Sequence, residues 1–191
     1  MQLRSGKEAA QRMHRFISSK HQVHAYSVDL TARQIYSLGP TGAVDFAGSD
    51  YLAADPHAVS AYQKHSQDKY RWWSLLHGAY LVEFNETLEL AENEIALLEP
   101  HERLLRAGAM HPALYVRGKV DPIATMLSVA GAKIEIKQNA RISSLRLFRL
   151  AADPSRPAAP KKAKKKAKKK AKKKTKKKAP ARKAPKKKKR R

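Results

Sequence analysis

An abrupt change in composition near residue 150 constrains the fold of this chain most. Residues 151–191 hold 23 of its 41 Lys and Arg residues and only one acidic residue, Asp153, whereas residues 1–150 hold 18 basic and 15 acidic residues. The repeat from Lys161 to Lys178 has no apolar residue larger than alanine, so it cannot bury enough surface to offset the entropy lost on ordering. We therefore expect a folded domain at residues 1–150, a linker at 151–160 and a disordered Lys/Ala-rich tail at 161–191.

The tail predicts a polyanionic partner. Its net charge is +22, and each lysine that neutralises a phosphate releases condensed counterions. Because it has no aromatic residue to stack on bases, we expect it to bind nucleic acid independently of sequence. The lysines expected to contact phosphates are Lys161, Lys162, Lys164, Lys165, Lys166, Lys168, Lys169, Lys170, Lys172, Lys173 and Lys174. In this respect the tail resembles those of linker-histone-like bacterial proteins.

Several classes of protein are excluded or disfavoured by what the sequence lacks. Without cysteine there is no disulfide scaffold, thiolate zinc site or cysteine nucleophile. No apolar run approaches the ~20 residues that cross a bilayer, so we expect a cytoplasmic, nucleoid-associated protein that does not bind membranes. The pair His21 and His24 is spaced i, i+3 without a clear carboxylate pattern, so we do not expect a protein-held metal.

The pattern of apolar residues within residues 1–150 predicts a mainly β fold. Ser5-Gly6-Lys7-Glu8 has the form of a capping box, and the spacing of Ala9, Met13, Phe16 and Ile17 predicts a short N-terminal helix. Short β-compatible runs follow at Val28–Ala32, Ala79–Phe84, Leu88–Leu90, Ile95–Leu98, Lys133–Lys137 and Leu145–Leu150. Many short strands and few helices indicate a sandwich, a barrel or a jelly roll.

One stretch, residues 53–73, has no clean periodicity. Asp55-Pro56 has the form of a helix start, so this stretch is predicted to be a helical insertion or a lid. Trp72 and Trp73 are adjacent, so on a strand they would face opposite sides and one of them would be exposed or at an interface.

Four segments in order resemble the dUTPase and dCTP deaminase superfamily, most closely its archaeal-type single-domain members. They are Ser27–Thr31, Gly78–Glu86, Pro100–Gly108 and Asn139–Ile142, and the likeness spans roughly residues 20–150. The resemblance implies a distorted β-barrel or jelly-roll protomer, usually in a homotrimer with sites between subunits. It also implies a deoxynucleoside triphosphate as substrate, with Mg²⁺ held mainly by the phosphates.

The resemblance assigns roles to residues of the first two segments. Asp29 stands where relatives place a carboxylate near the metal-bound phosphates, and the alternative is a turn carboxylate that caps nearby amides. In the second segment, which binds phosphates in relatives, His101 and Glu102 take the places of an arginine and a serine. Arg103 and Arg106 remain as phosphate-binding candidates.

The last two segments leave the catalytic base open. Without a gap, the aspartate that activates water in relatives falls on Val116, whereas a five-residue insertion brings Asp121 to that position. Asp121 is then the candidate base, and the alternative is that Asp121-Pro122 starts a turn. Arg141, in the fourth segment, is predicted to support packing at a subunit junction.

Two classes of function follow. The first is a dUTP diphosphatase tethered to DNA by its tail, which converts dUTP to dUMP and pyrophosphate. The second is an inactive module of the same fold that serves as a trimeric DNA-binding or nucleotide-sensing platform. A dCTP deaminase is a further alternative within the same resemblance.

Overall fold

The structure is a computed structural model, and it describes residues 1–151. The predicted linker and tail lie outside the described residues, apart from Ala151. The elements in chain order are β1 (Gln2–Leu3), α1 (Gly6–Ala10), β2 (Met13–His14), α2 (Ser19–Gln22), β3 (Val28–Leu38), β4 (Pro56–Ala58), β5 (Trp72–Phe84), β6 (Thr87–Glu89), β7 (Glu94–Pro100), α3 (Glu102–Arg106), β8 (Ala109–Met110), β9 (Leu114–Val116), β10 (Lys119–Val120), β11 (Ala124–Lys137) and β12 (Arg141–Arg149).

The strands form one large antiparallel sheet and one small one. The large sheet has the order β8-β11-β5-β3-β12-β7-β9, with β1 paired to β12 and β4 paired to β3. The small sheet has the order β10-β6-β2. Strands β5 and β11 form the longest pairing, from Ala124 opposite Glu83 to Lys137 opposite Trp72, with one irregularity. The mainly β, distorted-barrel prediction is confirmed.

The core follows the alternation that the sequence predicts. Buried residues alternate with more exposed ones along β11, where Leu127, Val129, Ile134 and Ile136 face inward. Of the tryptophan pair, Trp73 is fully buried and Trp72 is only partly buried, as the strand alternation predicts. No helix among residues 1–151 is long and apolar enough to cross a membrane.

The N-terminal helix is shorter than its apolar spacing predicts. The capping box is confirmed: Ser5 Oγ accepts from the Glu8 amide, and Glu8 Oε2 accepts from the Ser5 amide. The helix ends at Ala10, and Met13 lies instead in β2, where it pairs with Leu88. Because Met13 is buried by its pairing with β6, the helix does not need to continue to this residue.

The helical prediction for residues 53–73 is wrong. Pro56 begins the edge strand β4, which pairs with the end of β3 through Leu38. Proline suits the first residue of an edge strand because it has no amide hydrogen to donate. The rest of the stretch is irregular up to an isolated bridge between Tyr62 and Trp72.

An ion pair between a buried carboxylate, Glu94, and the partly exposed Arg12 ties the chain's first turns to the large sheet. The Glu94 side chain is 2% exposed, and it accepts from Arg12 Nε at 2.7 Å and Nη2 at 2.9 Å. The hydrogen bonds from Arg12, and one from the Ala91 amide, lower the pKa of Glu94 despite its burial. Arg149 Nη2 lies 3.6 Å from the same carboxylate. Glu94 therefore joins β7 and β12 to the segment just before β2.

We predict that Arg12→Ala lowers the free energy of unfolding by about 3 kcal/mol, because it leaves a buried carboxylate without its main partner. The matched control is Arg106→Ala, whose pair with Glu102 is 2.6 Å long but largely exposed, so we expect a loss below about 1 kcal/mol. Urea denaturation of both variants measures the difference, and equal losses would contradict the role assigned to Glu94.

The same pair predicts a pH dependence. A carboxyl whose native pKa is lowered contributes stability above its unfolded pKa of about 4.3 and loses it as the pH falls through the native pKa. The free energy of unfolding of the wild-type protein should therefore fall on acidification. The fall should be smaller in Arg12→Ala, which lacks this ion pair.

Candidate functional site

Asp29 is a buried carboxylate near the start of β3. It is 2% exposed, and its Oδ2 accepts from Arg141 Nη1 at 3.2 Å and from His24 Nε2 at 3.0 Å. His101 Nε2 lies 3.7 Å from the same oxygen. The alternative that Asp29 is a turn carboxylate is wrong, because it lies inside a strand and binds side chains from three other segments.

A β-bulge in β12 brings Arg141 to Asp29. Arg141 pairs with Thr31, the register shifts before Ser143, and Ser144 then pairs with Asp29. In a regular strand, positions 141 and 144 would face opposite sides of the sheet. The extra residue re-aims the strand, so that Ile142 and Ser143 are both buried while Arg141 and Ser144 flank Asp29. Arg141 also donates to the His21 carbonyl at 2.7 Å.

Helix α1 fixes the loop that carries His24. The amide of Gly6 donates to the Ala25 carbonyl at 2.9 Å, and the His24 amide donates to the Ser27 carbonyl at 2.9 Å. A Cβ on Gly6 would lie 2.1 Å from the His24 carbonyl oxygen and 2.6 Å from that of Ser27. Only glycine permits this close approach.

The phosphate-binding segment of relatives forms the start of helix α3. His101 is its N-cap, and its Nδ1 accepts from the Arg103 amide at 3.1 Å. Since Nδ1 acts as an acceptor, Nε2 carries the proton and is the nitrogen that faces Asp29. Glu102 pairs with Arg106 on the exposed side of the helix.

These residues surround a recess of about 460 Å³, a volume within the range of small-molecule sites. We call it the Asp29 recess, and its lining residues are His24, Ser27, Asp29, Glu99, Pro100, His101, Glu102, Leu105, Ser144 and Arg146. Arg146 forms an ion pair with Glu99 at its edge. The recess therefore combines imidazole, carboxylate, hydroxyl and guanidinium groups.

A buried network supports the floor of the recess. Glu86 is 0% exposed, and it accepts from the Thr31 amide at 2.9 Å, from the Thr31 hydroxyl at 2.7 Å and from Gln22 Nε2 at 2.6 Å. Gln22 Nε2 also donates to the Asp29 carbonyl at 2.9 Å. Burial raises the pKa of Glu86, and these hydrogen bonds partly oppose the rise. The network fixes the backbone between the Asp29 carbonyl and the Thr31 amide.

The fourth segment enters the site through a left-handed turn. Asn139 has a φ of +63°, a conformation favoured by Gly and Asn, which are the residues that relatives have at this position. Its Oδ1 accepts from Asn85 Nδ2 at 2.8 Å, and its amide donates to the Ala32 carbonyl at 2.9 Å. This turn sets the start of β12 and hence the position of Arg141.

Other predicted site residues lie outside the Asp29 recess within the protomer. Arg103 lines a second recess of about 400 Å³ that also contains Trp72, Lys137 and Arg141. Arg106 is mostly exposed on α3. Asp121 lies in the bend between β10 and β11 and lines a third recess.

The third recess joins Asp121 to the N-terminal segment. Arg15 Nη1 donates to Asp121 Oδ1 at 3.1 Å, and both residues border this space with His14 and Lys119. Among residues 1–151, Asp121 and Asp29 line different recesses. The role of Asp121 as base stays a prediction.

Val116, the residue that falls at the predicted base position when no gap is assumed, offers no proton acceptor. Val116 lies on β9 opposite Ala96. The nearby His111 is 1% exposed and packs edge-on against Phe84. Burial lowers the pKa of His111, so this imidazole is a neutral core residue.

The described residues contain no group of three His, Cys, Asp or Glu side chains that could hold a metal ion by themselves. The negative charge of Asp29 is already matched by Arg141. No described residue is therefore assigned as a metal ligand, and the Mg²⁺ that the resemblance implies stays a prediction.

Comparison with known proteins decides the family. Residues 3–150 match the family model described as dCTP deaminase-like. This chain belongs to the dCTP deaminase-like family. Two similar curated members are the probable deoxyuridine 5'-triphosphate nucleotidohydrolases of Methanosarcina mazei and Methanosarcina acetivorans, both 29% identical to this chain. The alignments cover 70% and 69% of this chain, and 76% and 75% of those proteins, respectively.

A solved structure supports the same family fold. The 2'-deoxycytidine 5'-triphosphate deaminase from Agrobacterium tumefaciens superposes with a TM-score of 0.57 at 16% identity. The match covers 78% of this chain and 48% of that longer protein. At this identity the likeness establishes the fold and no activity.

His24 is the site residue that sequence reasoning missed. Its spacing from His21 does not indicate its role, because its partner is Asp29, five residues later. The available signal was its position just before the first family segment. Arg141, predicted at a subunit junction, contacts Asp29 within the same protomer.

We predict that Gly6→Ala destabilises the domain by on the order of 1–3 kcal/mol, because the new methyl group collides with the backbone that carries His24. Lys7→Ala, an exposed change in the same helix, should stay within about 0.5 kcal/mol. Urea denaturation gives both values, and the imidazole NMR signal of His24 should move only in Gly6→Ala. An unchanged signal there would show that α1 does not position His24.

Proposed function

We propose that this protein is a dUTP diphosphatase, which hydrolyses dUTP to dUMP and pyrophosphate. Membership of the dCTP deaminase-like family and the similarity to two probable dUTP nucleotidohydrolases support the substrate class. The observation that carries the proposal is the Asp29 recess. Two imidazoles that line it, those of His24 and His101, face Asp29 Oδ2, and Arg141 binds the same oxygen from outside the lining.

Part of the wall of the Asp29 recess carries hydrogen-bond donors that suit a phosphorylated ligand. Arg146, His101 and the hydroxyls of Ser27 and Ser144 supply donors to phosphate oxygens. Glu102 opposes them, and Mg²⁺ carried by the triphosphate would offset this repulsion. The ion neutralises charge on the phosphates, and the residues of the chain orient the ligand.

We further propose that the protein works as a homotrimer, as the family resemblance implies. The register places Met126 opposite Leu81, and Ser128 opposite both Ala79 and Met110, so these side chains share one outer face of the sheet. Met110 and Met126 are about half exposed. An apolar sheet face of this kind suits a second copy of the chain. Such an assembly could also bring Asp121 of one copy to the recess of another.

The tail adds a second activity to the proposal. With 23 basic residues and one acidic residue at positions 151–191, it would bind DNA without sequence preference. Three tails in one trimer would raise the affinity by about 10²–10⁴-fold over a single tail. The tethered enzyme would remove dUTP near DNA.

A second candidate function is an inactive platform of the same fold. It is favoured by Glu102 in the wall of the recess and by Val116 at the position of the aspartate of relatives. In this case the domain would only bind nucleotide or hold three tails together.

We predict pyrophosphate release from dUTP, and no ammonia release from dCTP, when the full chain is assayed against deoxynucleoside triphosphates with Mg²⁺. Asp29→Asn should lower kcat/KM for dUTP by about 10²-fold, because it removes the charge that orders Arg141 and His24. The matched control is Asp55→Asn, an exposed carboxylate outside the recess, which should keep wild-type activity.

Three results would contradict this assignment. Ammonia release from dCTP would identify a deaminase. If folded protein released neither pyrophosphate nor ammonia from any of the deoxynucleoside triphosphates, the inactive platform would be favoured. Equal activity of Asp29→Asn and Asp55→Asn would place the reaction outside the Asp29 recess.

The tail predicts a steep salt dependence of DNA binding. If ten phosphates are engaged on duplex DNA, log K should fall against log salt with a slope of about −9. Replacing the eleven lysines between Lys161 and Lys174 by glutamine keeps the length of the tail and should flatten this slope. Fluorescence anisotropy with two unrelated duplexes measures both slopes. A strong preference for one duplex, or an unchanged slope in the variant, would contradict the proposal.

A further inference from the structure

We propose that His24 is the general base of this reaction and that Asp29 orients it. The inference rests on the proposed dUTP hydrolysis and names the group that takes a proton from the attacking water. It concerns one protomer, because both side chains and the recess they border belong to the same chain.

The geometry fixes the protonation pattern of His24. An ionised carboxylate only accepts hydrogen bonds, so the 3.0 Å contact with Asp29 Oδ2 requires the proton on His24 Nε2. In the neutral imidazole the lone pair is then on Nδ1, which makes no hydrogen bond within the described residues. The His24 side chain is 44% exposed and borders the recess, whereas that of Asp29 is 3% exposed. A buried carboxylate thus holds an accessible base.

Asp29 is itself held in place for this role. Arg141 binds the same Oδ2 from β12, and the Gln22 amide fixes the Asp29 backbone. Gly6 fixes the loop of His24 from the opposite side. The base and its orienting group are therefore set by packing and hydrogen bonds, as an efficient acid–base site requires.

The other groups that face this space do not offer the same chemistry. His101 uses its Nδ1 lone pair for the helix cap, so it can donate to Asp29 but cannot accept a proton there. Glu99 and Glu102 are paired with Arg146 and Arg106. Among residues 1–151, the charged and titratable side chains that line the recess beside His24 are those of Asp29, Glu99, His101, Glu102 and Arg146, and Arg141 adjoins them through Asp29.

Nδ1 of His24 takes one proton from a water molecule while the water oxygen forms a bond to the α-phosphorus of dUTP. The bond from that phosphorus to the oxygen bridging to the β-phosphate breaks, and pyrophosphate leaves with the electron pair. The imidazolium, stabilised by Asp29, then returns its proton to solvent, and dUMP remains.

The test is the pH dependence of kcat/KM for dUTP in the full chain, with Mg²⁺ held constant. An imidazole base predicts an acid limb between about pH 5 and 8. In His24→Gln we expect kcat/KM to fall by about 10²–10⁴-fold and the acid limb to disappear. His57→Gln, an exposed histidine on β4, should keep the wild-type profile. Added imidazole should restore part of the activity to His24→Ala, which a purely structural role would not allow.

Retention of wild-type kcat/KM and of the acid limb in His24→Gln overturns the inference while dUTP hydrolysis stands. Loss of turnover in Asp121→Asn, together with full activity in His24→Gln, also overturns the inference, because this result would identify Asp121 as the base. If the wild-type protein releases no pyrophosphate from dUTP, the proposed function itself fails. The role of His24 as general base then fails with it.

NMR of the histidine ring tests the hydrogen bond between His24 and Asp29 without any measurement of activity. The ¹⁵N ring signals of His24 should show the Nε2–H tautomer in wild type and should change in Asp29→Asn. An Nδ1–H tautomer in wild type overturns the pairing whether or not the protein hydrolyses dUTP.

Discussion

The buried charge of Asp29 is the constraint on which the site depends. An ionised carboxylate away from water is unfavourable unless it is paired and hydrogen-bonded, so several segments must meet around one strand residue. A different local feature places each partner of Asp29. A bulge in β12 places Arg141, a loop packed against Gly6 places His24, and the N-cap of α3 places His101. The short N-terminal helix is therefore part of the site rather than an appendage to the sheet.

The start of α3 is held by contacts that are separate from the network beneath Asp29. His101 uses one ring nitrogen for the helix cap and turns the other toward Asp29. Glu102 pairs with Arg106 on the exposed side of the helix. Among the described residues, neither side chain is hydrogen-bonded to the network of Glu86, Thr31 and Gln22. The support of Asp29 is therefore independent of the side chains at the start of α3.

Local patterns predicted the parts of this molecule that local physics decides. Period-two alternation located the strands around Ile134 and Leu145, and the capping box located the start of α1. Residues 53–73 were predicted wrongly because Asp55-Pro56 begins an edge strand as readily as a helix. The partnership of His24 with Asp29 could not be read from spacing, because it depends on the loop geometry that Gly6 permits. Likewise, one extra residue in β12 decides which way Arg141 points.

Electrostatics divides the chain into two parts that respond differently to salt. The domain is nearly neutral, with 18 basic and 15 acidic side chains at residues 1–150, and the charge pair at its site is largely buried. Solvent-exposed charges are screened within about 8 Å at physiological ionic strength, whereas buried pairs are screened much less. If the tail binds polyanions as proposed, salt would weaken that binding long before it disturbs Asp29 and Arg141. A triphosphate is also a polyanion, so at low salt such a tail would compete with the recess for the proposed substrate. The chemistry of the domain is best separated from the binding of the tail at moderate ionic strength.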